Sequence, residues 1–306
     1  MRTAKIYGAI ILSMIFWSFS YVWFKVANQT FRPITIIFCR IVLAVAFLSL
    51  YLFLTGKFVK IRKEDRKLFF LLALFEPFLY FIGESFGLTY VSATIGSVII
   101  STIPVFVVIG SRIVYREKLK AVNYAGIIIS FTGVLVFIID KNGTLSFNIK
   151  GLALLMFAVF SAVGYTLVLN RLVGKYSPVF IVCIQNMIGA ALFLPVFILS
   201  DLNHLLNTPF FFRHFIPVIE LAVFASCGAF ILFAYSVKHL GISRANVFSN
   251  CIPLFTACFS FIMLGDKLHV WNIVGMAIVI AGLFMSQING KKKDTDDALI
   301  LTGKTA

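Results

Sequence analysis

The sequence predicts an all-α integral membrane protein, with ten transmembrane helices forming two inverted five-helix repeats around a central cavity. Three observations carry that expectation. Of the 306 residues, 60% are hydrophobic and only 13% charged, with a mean hydropathy of +1.00; soluble domains run at about 45–50% apolar and about 25% charged. Residues 86–138 recur as 235–287: Ile103-Pro104 falls on Ile252-Pro253, Gly126 on Gly275 and Gly133 on Gly282, at an offset of 149 positions (104 to 253). A period near half the chain means two half-domains, not short stacked units. Finally, 20 of the 27 Lys and Arg residues fall in breaks on the same side as the N-terminus. The positive-inside rule therefore places both termini in the cytoplasm.

Apolar runs give candidate helices at 5–27, 33–55, 67–89, 93–115, 121–139, 150–171, 178–200, 214–237, 244–264 and 270–288, each near the length that spans a bilayer. The first run is too long and too aromatic (IFWSFSYVWF) for a secretion signal, and it lacks a small-x-small cleavage site. Pro33 and Pro178 open the second and seventh runs, where a missing N–H costs nothing. Five spans per half is an odd number, so the second half starts from the opposite side and the repeats are inverted. The expected units are 1–140, 150–288 and a disordered cytoplasmic tail, 289–306, whose Lys291, Lys292 and Lys293 anchor on the inner leaflet.

The net charge of +15 reflects membrane orientation and not a nucleic-acid partner. Five cysteines lie inside apolar runs without CxxC spacing, and four histidines sit in or beside loops. Neither a disulfide framework, a metal site nor a cofactor is expected. No GxxxxGK[ST] is present, so ATP is not the direct energy source.

FWSFSYVWFK in the first span, Pro33 followed by Arg40 in the second, and a twice-repeated order of motifs carry a resemblance. That order is proline, then acidic-Lys-Leu (Glu117-Lys118-Leu119 and Asp266-Lys267-Leu268), then two glycines seven apart. Over nearly its whole length the chain resembles the EamA-type carriers of the drug/metabolite transporter superfamily. The resemblance implies a secondary transporter exporting amino acids, other small metabolites or drugs across the plasma or inner membrane by alternating access. Nucleotide-sugar or phosphate-type carriers of the same superfamily are the alternative. The copies differ at Asp266 against Glu117, and Gln185 stands where Arg40 would be mirrored. The two faces of a central cavity should therefore be chemically unequal. The contrasting class is a membrane-embedded enzyme acting on a lipid-linked substrate, which needs a juxtaposed catalytic pair; with every His peripheral, the chain is not read as an enzyme. A channel needs rings of like side chains from symmetric subunits.

An ionisable group inside a span costs roughly 2.5–3.5 kcal/mol on insertion scales, so the few present single themselves out: Lys25, Arg40, Glu76, Glu84 and Glu220. Arg40 and Glu84 lie about 10 Å and about 7 Å below the same membrane face. Three readings of Arg40 stand open: an ion pair with Glu84, a cavity cation for a substrate carboxylate or phosphate, or a snorkelling side chain. Glu76, Tyr80 and Glu84 share one helix face. Glu76, near the midplane, is the candidate proton carrier or else a hydrogen-bonded neutral acid, and Pro77 should loosen the helix beside it.

Trp17, Tyr21, Tyr165 and Tyr235 are candidate cavity aromatics. Gln185, Asn186, Asn246, Asn250 and Ser226 either line the cavity or bond between helices. Pro104 and Pro253 are candidate kinks and hinges for alternating access, whereas Glu117 and Asp266 read as helix-end charges. Glycines 126, 133, 275 and 282 are close-packing points in spans 5 and 10, a candidate homodimer seam. The expected partners are thus a small-molecule substrate with proton coupling, the lipid bilayer and a second copy.

Overall fold

The computed structural model describes residues 2–116, 120–137, 148–208, 211–264 and 270–287. The motifs at Glu117 and Asp266 and the tail 289–306 lie outside them. The described residues form helices joined by turns and short extended segments, without strands. The first half holds α1 Arg2–Ala27, α2 Pro33–Leu54, α3 Arg66–Ala73, α4 Tyr80–Tyr90, α5 Ala93–Ile100, α6 Ile103–Tyr115 and α7 Ala121–Phe137. The second holds α8 Ile149–Leu172, α9 Pro178–Ser200, α10 Leu202–Asn207, α11 Phe212–Glu220, α12 Phe230–Leu240, α13 Ile242–Val247, α14 Ile252–Leu264 and α15 Val270–Gln287.

Joined across their irregularities, these make eight helices long and apolar enough to cross a membrane; the apolar stretches of α7 and α15 are shorter. Pro33 and Pro178 each stand in the first turn of their helix, as the sequence predicts.

The irregularities recur in both halves. A π-helical stretch, Leu74–Leu79, joins α3 to α4, and Leu221–Ala229 joins α11 to α12. At the first, Pro77 supplies no N–H and crowds the preceding turn, and Glu76 is extended at φ −147°, ψ 119°. The α5–α6 helix breaks at Ser101–Thr102, and α13–α14 passes through a 3₁₀ turn, Phe248–Cys251.

Local hydroxyls favour both breaks by competing for helix carbonyls. Ser101 and Thr102 bond back to Val98 O and Ile99 O, and Ser249 to Asn246 O. Pro104 and Pro253 are then not mid-helix kinks: each is the second residue of a fresh helix, where proline is tolerated.

Packing between the halves is reciprocal. Helix α1 packs on α12 and α14, and α8 packs on α4 and α6; α2 packs on α9, and α7 on α15. The α7–α15 pair shows why its glycines are there. A Cβ on Gly126 would lie 2.3 Å from Ser286 N, and one on Gly282 would lie 2.3 Å from Ser130 N. These glycine faces meet within one chain.

Two acids tie the ends of α9 to the first half. Buried Asp65 accepts from Lys175 Nζ at 2.6 Å and from Tyr176 OH at 3.0 Å. At the other end, Arg32 gives α2 no side-chain cap. Asp201 supplies one from the far half, accepting from Thr35 N at 3.1 Å and Thr35 Oγ1 at 3.2 Å, which satisfies a donor the helix start leaves unpaired.

Candidate functional site

A cavity lined by residues of both halves lies where the two halves meet. Its walls come from α1, α2, the first π stretch with α4, the α5–α6 break, α8, α12 and the α13–α14 break. Backbone irregularity inside a membrane-spanning bundle is tolerated where it is covered by protein or lines a cavity, and three of the four irregular segments border this one.

Eight predicted residues line the cavity together: Trp17, Tyr21, Arg40, Glu76, Tyr80, Glu84, Tyr165 and Asn246. Tyr21 and Tyr165, which the weaker match between the first spans of the halves places on one another, both face it. Glu76, Tyr80 and Glu84 enter from successive turns of one strip, and Tyr80 OH donates to Glu84 Oε1 at 2.8 Å.

Arg40 is 3% exposed, and its environment settles how it is held. Its Nε donates to Ser226 Oγ at 2.9 Å. Its guanidinium carbon lies 4.3 Å from the centroid of the Phe81 ring, a cation–π contact. No ion pair with Glu84 forms within 4.0 Å, so the predicted Arg40–Glu84 bridge is not present, and a side chain this buried does not snorkel. The depth argument placed the two residues at one level, but the rotation of α2 sends the guanidinium toward Ser226. The cavity wall thus carries one buried cation without a carboxylate partner within 4.0 Å, and two buried carboxyl groups.

Gln185 and Asn250 are outside the lining. Asn250 Nδ2 is spent on Ser130 Oγ at 2.6 Å, tying the α13–α14 break to α7. Gln185 is wholly buried, with neither amide atom hydrogen-bonded. Tyr235 lies tilted against His239, with ring centroids 4.4 Å apart, and is not in the cavity lining. Lys25 donates to Val91 O at 2.6 Å and to Leu88 O, closing the end of α4. Glu220 is half-buried and off the wall. Of the polar set, Ser226 holds Arg40, Asn246 reaches the lining, and Asn186 bonds to Val182 O. Among the described residues no group of three His, Cys, Asp or Glu could hold a metal ion.

The sequence reading missed Phe81, Phe230 and Phe233 on the wall. A signal was available for two of them. The offset of 149 places Phe81 on Phe230, and the two rings lie 6.5 Å apart. Trp17 and Tyr165 then meet Phe230 edge-on at 5.3 and 5.9 Å. The same offset places Glu76, Tyr80 and Glu84 on Ala225, Ala229 and Phe233. The first half supplies all three charged groups, and both halves supply aromatic rings.

An all-helical bundle of membrane-crossing length, with its charges turned inward on a cavity between two repeats, defines a multi-pass membrane protein of the transporter class. The chain belongs to the EamA-like transporter family, whose profile matches residues 4–139 and again 149–287. It is 28% identical over 282 residues to an uncharacterized transporter of Archaeoglobus fulgidus, covering 90% of this chain and 96% of that one. It is 24% identical over 298 residues to the uncharacterized transporter YcxC of Bacillus subtilis, with 95% of each chain covered. A protein crystal structure shares the fold, with a TM-score of 0.76 over 93% of this chain and 96% of that one, at 14% identity. The family and both relatives are named as transporters and not as enzymes.

Proposed function

We propose that this membrane transporter is a secondary exporter, moving amino acids or other small metabolites or drugs across the plasma or inner membrane by alternating access. In this reading the bundle has ten spans as two inverted five-helix repeats, with both termini cytoplasmic. The reciprocal packing of the halves supports a two-fold relation, since the contacts of α1 on α12 and α14 have their counterparts in those of α8 on α4 and α6. The positive-inside distribution supports the orientation.

One observation carries the substrate reading: Arg40 faces the cavity as a buried cation with no carboxylate within 4.0 Å, while Glu76 and Glu84 line the same wall. A solute bearing a carboxylate gives the guanidinium a bidentate partner, its cationic end meets the carboxyl groups, and the aromatic rings take an apolar side chain. Glu76, in the helix interruption at Pro77, is the group assigned to exchange protons with the solute cycle. Pro104 and Pro253 start the half-helices at the two breaks and serve as hinges.

Counterflow in proteoliposomes, with labelled amino acids, sugars and phosphates, tests this on the parent, Arg40→Ala and Glu76→Gln. The expected result is saturable exchange of a carboxylate-bearing solute that Arg40→Ala abolishes, with net flux driven by an imposed pH gradient only while Glu76 is intact. Exchange equal to the parent in both variants would overturn the site assignment, and flux indifferent to pH in the parent would remove proton coupling.

A further inference from the structure

After α2 the chain runs through an extended segment, 57–62, that folds back over the start of α9. Beside it lies an open groove whose walls include Lys60, Arg66, Phe69, Ile184 and Ile188. The groove is polar at one end and apolar along its length. At the mouth, Lys60 and Arg66 are exposed, and neither forms an ion pair within 4.0 Å. Residues 57–67 hold six Lys or Arg against only Glu64 and Asp65, and Asp65 is already neutralised by Lys175. Away from the mouth, Ile184 and half-buried Ile188 stand at i and i+4 on one face of α9, continuing from buried Phe180 over about 6 Å at 1.5 Å per residue. Buried Phe69 forms the opposite wall.

We propose that this groove binds one anionic phospholipid of the surrounding leaflet, with its phosphate on Lys60 and Arg66 and one acyl chain along the Ile184–Ile188 stripe. Both halves of the feature are needed to choose the ligand. A soluble anion would use the cations and leave the stripe bare, whereas a neutral lipid would use the stripe and leave the cations unmatched. A basic pocket between helices at the membrane face suits an anionic headgroup, and the apolar stripe continues from it in the direction an acyl chain must run. The groove shares no residue with the central cavity. Only its assignment to the cytoplasmic leaflet rests on the orientation proposed above.

Lipid retention by the full-length purified protein tests the proposal, read by native mass spectrometry from micelles doped equally with phosphatidylglycerol and phosphatidylcholine. The parent should retain one phosphatidylglycerol with roughly tenfold preference. The double variant Lys60→Gln/Arg66→Gln should lose that preference. Ile188→Trp, which fills the groove without touching a charge, should lose the bound lipid; if it does not fold, Ile188→Phe takes its place. Arg112→Gln, a cation outside the groove, should behave as the parent. Unchanged thermal unfolding midpoints show that the variants are folded.

Equal retention of both lipids, or a double variant that binds as the parent does, overturns the proposal. Displacement by glycerol phosphate as effective as by a short-chain phosphatidylglycerol also overturns it, since the site would then read phosphate alone. So does lipid gained on truncation after Gln287, which would make the tail the occupant.

Discussion

Ser111 Oγ lies 2.9 Å from Ser243 Oγ, joining the far end of α6 to the first turn of α13. The offset of 149 positions maps this pair onto Ser260 and Thr94, on α14 and α5. There the second bond is not made, although α14 packs on α5, and Ser260 Oγ is buried without a partner. One member of a repeated pair is closed and its counterpart is open. If the halves exchange conformations during transport, the open pair closes as the closed one parts. Spin labels at 94/260 and at 111/243, read by double electron–electron resonance, should show the first distance shortening as the second lengthens when transported solute is added. Both distances moving together would sink the idea.

Arg40 is held by a directed Nε bond to Ser226 and by the Phe81 face, and both suit a planar guanidinium better than an ammonium. Arg40→Lys should therefore behave as a loss-of-function change in counterflow, with activity down by at least about tenfold, the equivalent of about 1.4 kcal/mol. Ser226→Ala, which removes only the positioning bond, should have a smaller effect of about 1 kcal/mol. Arg40→Lys exchanging solute at the parent rate would show that charge alone suffices.

The α7–α15 contact leaves no space for a side chain at Gly126 or Gly282. Gly282→Ala should push the helices apart and destabilise by about 1–3 kcal/mol, read as a lowered midpoint in thermal unfolding in detergent. Gly8, around which nothing lies within 4 Å, is the matched control and should tolerate alanine.

Before the start of α9, Asp65 is 1% exposed, but the Lys175 side chain is 43% exposed. Losing the acid leaves the hydroxyl proton of Tyr176 without its acceptor and removes both bonds to a charged group, each contributing about 1.5–3 kcal/mol. Losing the lysine removes a half-solvated partner while the carboxylate keeps its bond from Tyr176, for a smaller cost. Asp65→Ala should thus lower the unfolding midpoint clearly more than Lys175→Ala. The reverse order would mean that the lysine, and not Tyr176, compensates the buried carboxylate.

Much of the site was legible because the cost of burying charge is so uneven. Inside apolar runs Arg40, Glu76 and Glu84 have few explanations, and all three line the cavity. Neutral polar residues carry no such information, since an amide serves equally well on a wall or between helices; Asn250 went to Ser130 and Gln185 behind the wall. Aromatic residues make up 16% of the chain, so Phe81 and Phe230 were hidden by abundance, although the repeat pairs them.

The amino-acid order alone determined the helical, membrane-embedded character of this chain, its doubling and the identity of its buried charges. These follow from hydropathy, periodicity and self-similarity, which are local or additive along the chain. Tertiary packing decided which way each charge points and what it meets. Arg40 turns to Ser226 and not to Glu84, and the glycines of α7 and α15 close on one another. Such choices depend on helix rotation and on surfaces from the other half of the chain, and neither is written in the spacing of residues along one helix.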